Sequence, residues 1–304
     1  MGVSSKKASR RPVRSVSLPC RSHPNTDRME KLLNEVNTWE STLSSSNPSA
    51  DMICSGFSHL TALYECLEDL FNTNNLSQTS SLFGNDSEKK WTDEILDVSV
   101  MLLDECSNTS DVTSQTKQLL RDFGCDLRRN GGYSSGSIIA KYTEFRNKLK
   151  KEIKRSMSSL KQVENKIRSC PALMVDSENY HQMWVVSVYR EVTAFSIVVF
   201  RLLLDFLGIP CLRTRPRGRW TMVSRFLSGG GKVVPEDKAD TNENEFHRLN
   251  AALSSEKQEF IQQAVPKNLE ALDAALERVN SHQHSMSRRL IRTRASILNM
   301  VSSY

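Results

Sequence analysis

The 304-residue chain predicts an all-α protein, an elongated multi-helix bundle with a heptad-patterned C-terminal helix and a disordered basic N-terminal tail. Three observations carry that prediction. Apolar residues recur at steps of three and four through most of the chain, which gathers them on one face of a helix. No run alternates apolar and polar with the period of two that a half-buried strand needs. Ser, Thr or Asp precedes several of the periodic runs and Gly or Pro follows several of them, the punctuation of helix starts and stops.

Taken in order, residues 1–24 offer almost nothing to bury and read as a tail. Thr26 or Asp27 caps a first helix whose face is Met29, Leu32, Leu33, Val36, Trp39 and Leu43. Ser49 caps a second, with Met52, Ile53, Leu60, Leu63, Tyr64, Leu67, Leu70 and Phe71, and a polar loop spans 72–85. Ser87 opens a third through Trp91, Ile95, Val98, Leu102 and Cys106. Ser110 opens a fourth through Val112, Leu119, Leu120, Phe123 and Leu127, closed by Asn130-Gly131-Gly132. The fifth is the cleanest: Ile138, Tyr142, Phe145, Leu149, Ile153, Met157, Leu160, Val163 and Ile167, with Lys and Arg on its other face and Pro171 as its stop. A sixth helix, 177–207, ends at Gly208-Ile209-Pro210, and a short one covers 220–227.

A flexible linker, 228–242, then divides a bundle at 25–227 from C-terminal helices at 243–303 that pack on it, interrupted or kinked at Pro266. There Val265, Leu269, Leu272, Leu276, Val279, Gln283, Met286, Leu290, Thr293, Ile297 and Met300 alternate by four and three, with Gln283 and Thr293 as polar exceptions. Such a seam packs within one bundle or pairs with a second copy, and the uncovered faces of the earlier helices favour the first. The apolar run 192–200 is broken by charges, Arg190 and Glu191 before it, Arg201 and Asp205 after it. Charges at the centre of a span cost about 2.5–3.5 kcal/mol each, so this segment reads as the most buried helix of the bundle rather than a membrane span. Arg201 and Asp205 stand four apart, a spacing that permits pairing.

The net charge of +6 conceals a strong segregation: +6 over 1–28, −12 over 29–126, +9 over 127–168, +3 over 169–228 and zero over 229–304. Acidic and basic parts can attract one another within the fold, or serve an anionic partner. Two cationic groups stand out: Lys148, Lys150, Lys151, Lys154 and Arg155 on the fifth helix, and Arg213, Arg215, Arg217, Arg219 and Arg225 beside Trp220. If not balancing the acidic half, they suit an anionic lipid surface, with nucleic acid a more distant reading because no base-reading module accompanies them. Seven cysteines form an odd set without a CxxC pair, and no apolar signal segment precedes them. Both facts point to a reducing, intracellular and cytoplasmic setting, with membrane association open and the Ser-rich leader resembling a transit peptide only in composition.

His282 and His284 are the only close His pair, and no HExxH or Cys/His quartet has zinc spacing, so no metal or other cofactor is expected. Residues 228–232 superficially resemble a phosphate loop, but Phe226 replaces its first Gly and Val233 its Ser or Thr. No GxSxG elbow occurs. The carboxylate pairs Glu68-Asp69 and Asp104-Glu105 read as solvated helix flanks. Met1-Gly2 hints at myristoylation, yet Lys6 stands where that signal wants Ser or Thr. The expectation is therefore a protein that is not an enzyme. The sharpest local signal is Arg14-Ser15-Val16-Ser17-Leu18-Pro19: Arg14 three before Ser17 suits a basophilic kinase, and phosphorylated Ser17 with Pro19 fits the docking form of 14-3-3 adaptors.

Several stretches together resemble a plant-specific family of uncharacterised proteins, domain of unknown function 241, the BYPASS-like proteins. They are Arg14-Ser-Val-Ser-Leu-Pro-Cys-Arg-Ser-His-Pro24, Leu63-Tyr-Glu-Cys-Leu-Glu-Asp-Leu-Phe71, Leu103-Asp-Glu-Cys106, Asp111-Val-Thr-Ser-Gln-Thr-Lys117, Leu127-Arg-Arg129, Tyr189-Arg-Glu-Val-Thr193 and the ending from Arg288 to Asn299. Their order covers nearly the whole chain from Arg14, while Gly131–Gly136 and the arginines at 213–219 depart from the pattern. The resemblance implies an all-helical protein without established catalytic residues, associated with root and shoot development. It carries over no catalytic or ligand position. Because the family shares the leading segment, it also implies that Arg14–Pro24 has a function.

Overall fold

In the computed structural model, which describes residues 24–43, 47–73, 86–129, 136–169, 180–208, 244–253 and 258–302, the apolar stripes wind into seven helices, with no strand among the described residues. The N-terminal tail, the short helix at 220–227 and the linker at 228–242 lie outside the described residues. The first helix, α1 (Pro24–Thr42), starts on a proline, whose fixed φ suits a first helical position. Asp27 therefore falls in its first turn rather than at the cap. Met29 and Val36 are buried, and Trp39 packs edge-on against Phe195, centroids 5.5 Å apart.

The second helix, α2 (Ala50–Thr73), is capped as the sequence predicts: Met52 N–H donates to Ser49 Oγ (3.3 Å), and Ile53 N–H to the Ser49 carbonyl (3.1 Å). It lies at the centre of the bundle and packs against α1, against α5 (Tyr180–Gly208) and against α7 (Gln258–Ser302). Close approach to α1 and α5 requires Gly56, because a Cβ there would stand 3.0 Å from Val199 Cγ2 and 3.1 Å from the Trp39 ring. Phe57 meets Phe200 edge-on at 5.9 Å in the same layer.

The third helix, α3 (Asp86–Arg129), is one helix of 44 residues where the sequence predicts two, broken before Ser110. The hydroxyls that resemble a break turn back onto the helix's own carbonyls instead. Thr109 donates to the Glu105 carbonyl (2.9 Å), Thr113 to that of Thr109 (2.8 Å) and Thr116 to that of Val112 (2.7 Å). Each of these threonines is buried. With its hydroxyls satisfied internally, the segment stays helical while α7 and α4 (Gly136–Ser169) cover its apolar stripe.

The α5 helix is buried along Val192, Phe195, Val199, Phe200, Leu203, Leu204, Phe206 and Leu207. Among the described residues, no helix is long and apolar enough to cross a membrane. The short α6 (Glu245–Leu253) is capped by Asn244, whose Oδ1 accepts the His247 N–H (2.9 Å), while its Nδ2 donates to the Pro48 carbonyl (3.2 Å) and ties α6 to the start of α2. Phe206 and Phe246 pack edge-on at 5.1 Å. The last helix, α7, continues through Pro266 rather than stopping there, losing one internal hydrogen bond near its start. Every described seam residue from Val265 to Ile297 is buried, chiefly against α2 and α3 of the same chain.

Candidate interaction face and buried polar seam

Because its buried stripe runs Leu149, Ile153, Ser156, Leu160 and Val163, α4 turns the intervening positions outward. Lys148, Lys150, Lys151, Lys154 and Arg155 are all exposed. Lys148 reaches Glu144 (3.1 Å) and Arg155 reaches Glu152 (2.9 Å), both within α4. Lys150, Lys151 and Lys154 have no carboxylate within 4 Å among the described residues. The other cationic group, Arg213, Arg215, Arg217 and Arg219, and the tail residues Arg14, Ser15, Ser17 and Pro19 lie outside the described residues.

The acidic half is balanced mainly from another quarter. Cations of α7 reach back to α2: Arg289 grips Glu68 (3.0 Å) and Glu65 (3.8 Å), and Arg278 pairs with Asp51. Between α3 and α7 the polarity reverses, with Lys117 on Glu277 and Arg121 on Asp273 (2.9 Å). From α4, Lys166 crosses to an acid of α3, Asp97 (2.5 Å). Arg201 does not turn to Asp205, four residues on. It bridges to Glu164 of α4 (2.6 Å), while Asp205, raised to about 6 by burial, feels the Arg201 charge without an ion pair to it.

A second feature is a polar seam inside the bundle. Gln283, the polar exception of the heptads, donates from Nε2 to Thr109 Oγ1 (3.3 Å), and its backbone carbonyl accepts the Cys106 thiol (3.8 Å). Thr293, the other exception, donates to the Tyr64 carbonyl (3.5 Å) and to that of Arg289 (3.1 Å). Ser196 Oγ donates to the Val192 carbonyl (2.8 Å), leaving the Tyr64 hydroxyl to donate to Ser196 (3.0 Å). The Tyr189 hydroxyl donates to the Ile95 carbonyl (3.2 Å). These bonds satisfy groups whose burial would otherwise cost about 1–3 kcal/mol each, though Gln283 Oε1 is left without a partner, and they set the register between helices.

Glu105 departs from the sequence reading. It is fully buried, not a solvated flank. Its place three residues after Leu102 and four before Thr109 puts it on the stripe that α4 covers, a signal visible once 86–129 is taken as one helix. Neither carboxyl oxygen has a hydrogen-bond partner. Burial pushes the carboxyl up to about 7, and nearby Ser156, Ser159 and Asn108 offset this only in part. The adjoining Cys106 thiol is pushed up to about 12, by burial first and by Glu105 second. Cys54, Cys66 and Cys125 are free thiols as well. No group of three or more His, Cys, Asp or Glu is placed to hold a metal ion among the described residues.

Comparison with known proteins finds no curated protein and no solved structure that matches the chain. A family model described as Protein BPS1 does match, over residues 56–300, from the first turns of α2 to the last turns of α7, and the chain belongs to that plant family.

Proposed function

We propose that the protein is a non-enzymatic interaction protein of plant root and shoot development, with its helical bundle presenting a docking face and its tail phosphorylated on Ser17 to engage a 14-3-3 adaptor. Family membership supports the developmental part. The observation that carries the docking part is the outer face of α4, where Lys150, Lys151 and Lys154 stand exposed without a carboxylate partner among the described residues. Charges left unbalanced on a rigid helix steer an anionic partner and raise its on-rate. A tail anchored by Arg14 and Pro19 supports phosphate-dependent capture, since adaptor arginines hold the phosphate. Affinity capture from root extract tests it, comparing wild type, Ser17→Ala and a Lys150/Lys151/Lys154→Glu triple variant. The same partners recovered with all three proteins would sink the reading.

The same α4 face supports a second reading, peripheral attachment to anionic lipid. Lysines near such a surface contribute about 1 kcal/mol each. Flotation with vesicles that contain or lack phosphatidylserine separates the two readings: recovery that follows the anionic lipid favours the membrane, and recovery in neither case leaves the protein partner.

A further inference from the structure

Glu105 sits where α3 and α4 press together, wholly shielded from water, and both its oxygens lack a hydrogen-bond partner. Nothing charged compensates it. From α4 the side chains that face it are the hydroxyls of Ser156, itself buried, and Ser159. The charged neighbours of Ser156 along α4, Glu152 and Arg155, are engaged with each other (2.9 Å). From α3 come the Asn108 amide and the Cys106 thiol, which is held neutral by burial. From α7, the uncharged Gln283 donates to Thr109, one turn along α3 from Glu105. From α5, Arg201 is committed to Glu164 (2.6 Å). An ionised carboxylate in such a place has lost its water and gained no countercharge, so it must take up a proton or draw water in.

We infer that Glu105 is a proton-operated latch between α3 and α4: neutral, it lies closed in the seam, and ionised, it favours an open seam that admits water. The direction follows from linkage. The folded carboxyl holds its proton up to about 7, above the ordinary 4.5. Its contribution is therefore complete below pH 4.5, declines as pH rises from there through 7, and is flat beyond. Since α4 is held chiefly by α3 and α5, opening this seam loosens the helix that carries the exposed lysines. The latch thereby regulates presentation of the α4 face proposed above, but its own test does not depend on any partner.

Amide hydrogen exchange on the full chain at pH 6 and pH 8, corrected for intrinsic rates, reads the latch directly. Peptides covering Glu105 in α3 and Ser156 in α4 are expected to lose protection at pH 8 by up to about tenfold more than peptides of α2, and Glu105→Gln to abolish that difference. An equal loss in Glu105→Gln, or no loss in wild type, overturns the inference. Should Glu105→Gln fail to fold, the wild-type protein labelled with 13C at glutamate side chains still decides. A Glu105 carboxyl resonance, assigned through its own backbone, that titrates near 7 upholds the latch, and one that titrates near 4.5 overturns it. Capture or flotation that fails while the exchange result holds defeats the docking reading alone.

Discussion

The two helices α4 and α7 are built to the same amphipathic rule yet meet different surroundings. Along α7 the apolar seam lies between α2 and α3, and Arg278 and Arg289 find Asp51, Glu68 and Glu65 within reach. Along α4 an equally regular stripe packs on α3 and α5, and Lys150, Lys151 and Lys154 face outward without an acid among the described residues. A cation's role is therefore set by what the neighbouring helix places opposite it. On α7 the arginines stitch the fold together, whereas on α4 the lysines remain available.

The largest effect that tests this contrast is expected in the α7 seam. Leu272 is fully buried, and Leu272→Ala is expected to cost about 2–5 kcal/mol in urea unfolding. A loss under 1 kcal/mol would mean the seam is not packed as described. Next comes the pH dependence of the α3–α4 seam. The rise of Glu105 from 4.5 to about 7 corresponds to roughly 3 kcal/mol of stability present below pH 4.5 and gone by pH 7 or so, and this pH dependence should be missing from Glu105→Gln. Arg289→Ala follows at about 1–3 kcal/mol, because Glu68, itself mostly buried, loses its charged donor. A double-mutant cycle with Glu68→Gln checks that the loss belongs to the pair. Smallest is Lys151→Ala on α4, expected within about 0.5 kcal/mol of wild type. A larger loss there would erase the distinction between stitching and available charges.

Much of this was legible because helical periodicity is local. The stripe from Leu149 to Ile167 and the seam from Val265 to Ile297 need no knowledge of neighbours, and both are helical as the spacing predicts. The Ser49 cap needs only the few residues after it. What misled was also local. Ser110 suggests the start of a separate helix, yet its hydroxyl reaches Asn280 Oδ1 of α7 (3.4 Å) and the buried Thr109 beside it donates back to the Glu105 carbonyl (2.9 Å). At Pro266 a proline suggests an interruption or a kink; the helix is not interrupted, because packing of α7 on its neighbours outweighs the one missing bond.

Composition and spacing alone thus set the helical class, the apolar faces and the segregation of charge, since each depends on residues a turn or two apart. Which charges meet was decided in three dimensions: Arg201 chose Glu164 over Asp205, and the arginines of α7, not the lysines of α4, met the acids of α2. The burial of Glu105 was decided there too. A carboxyl beside a stripe is solvated or entombed according to how the next helix is laid down, and pairings over long sequence distances leave no periodic trace in the chain.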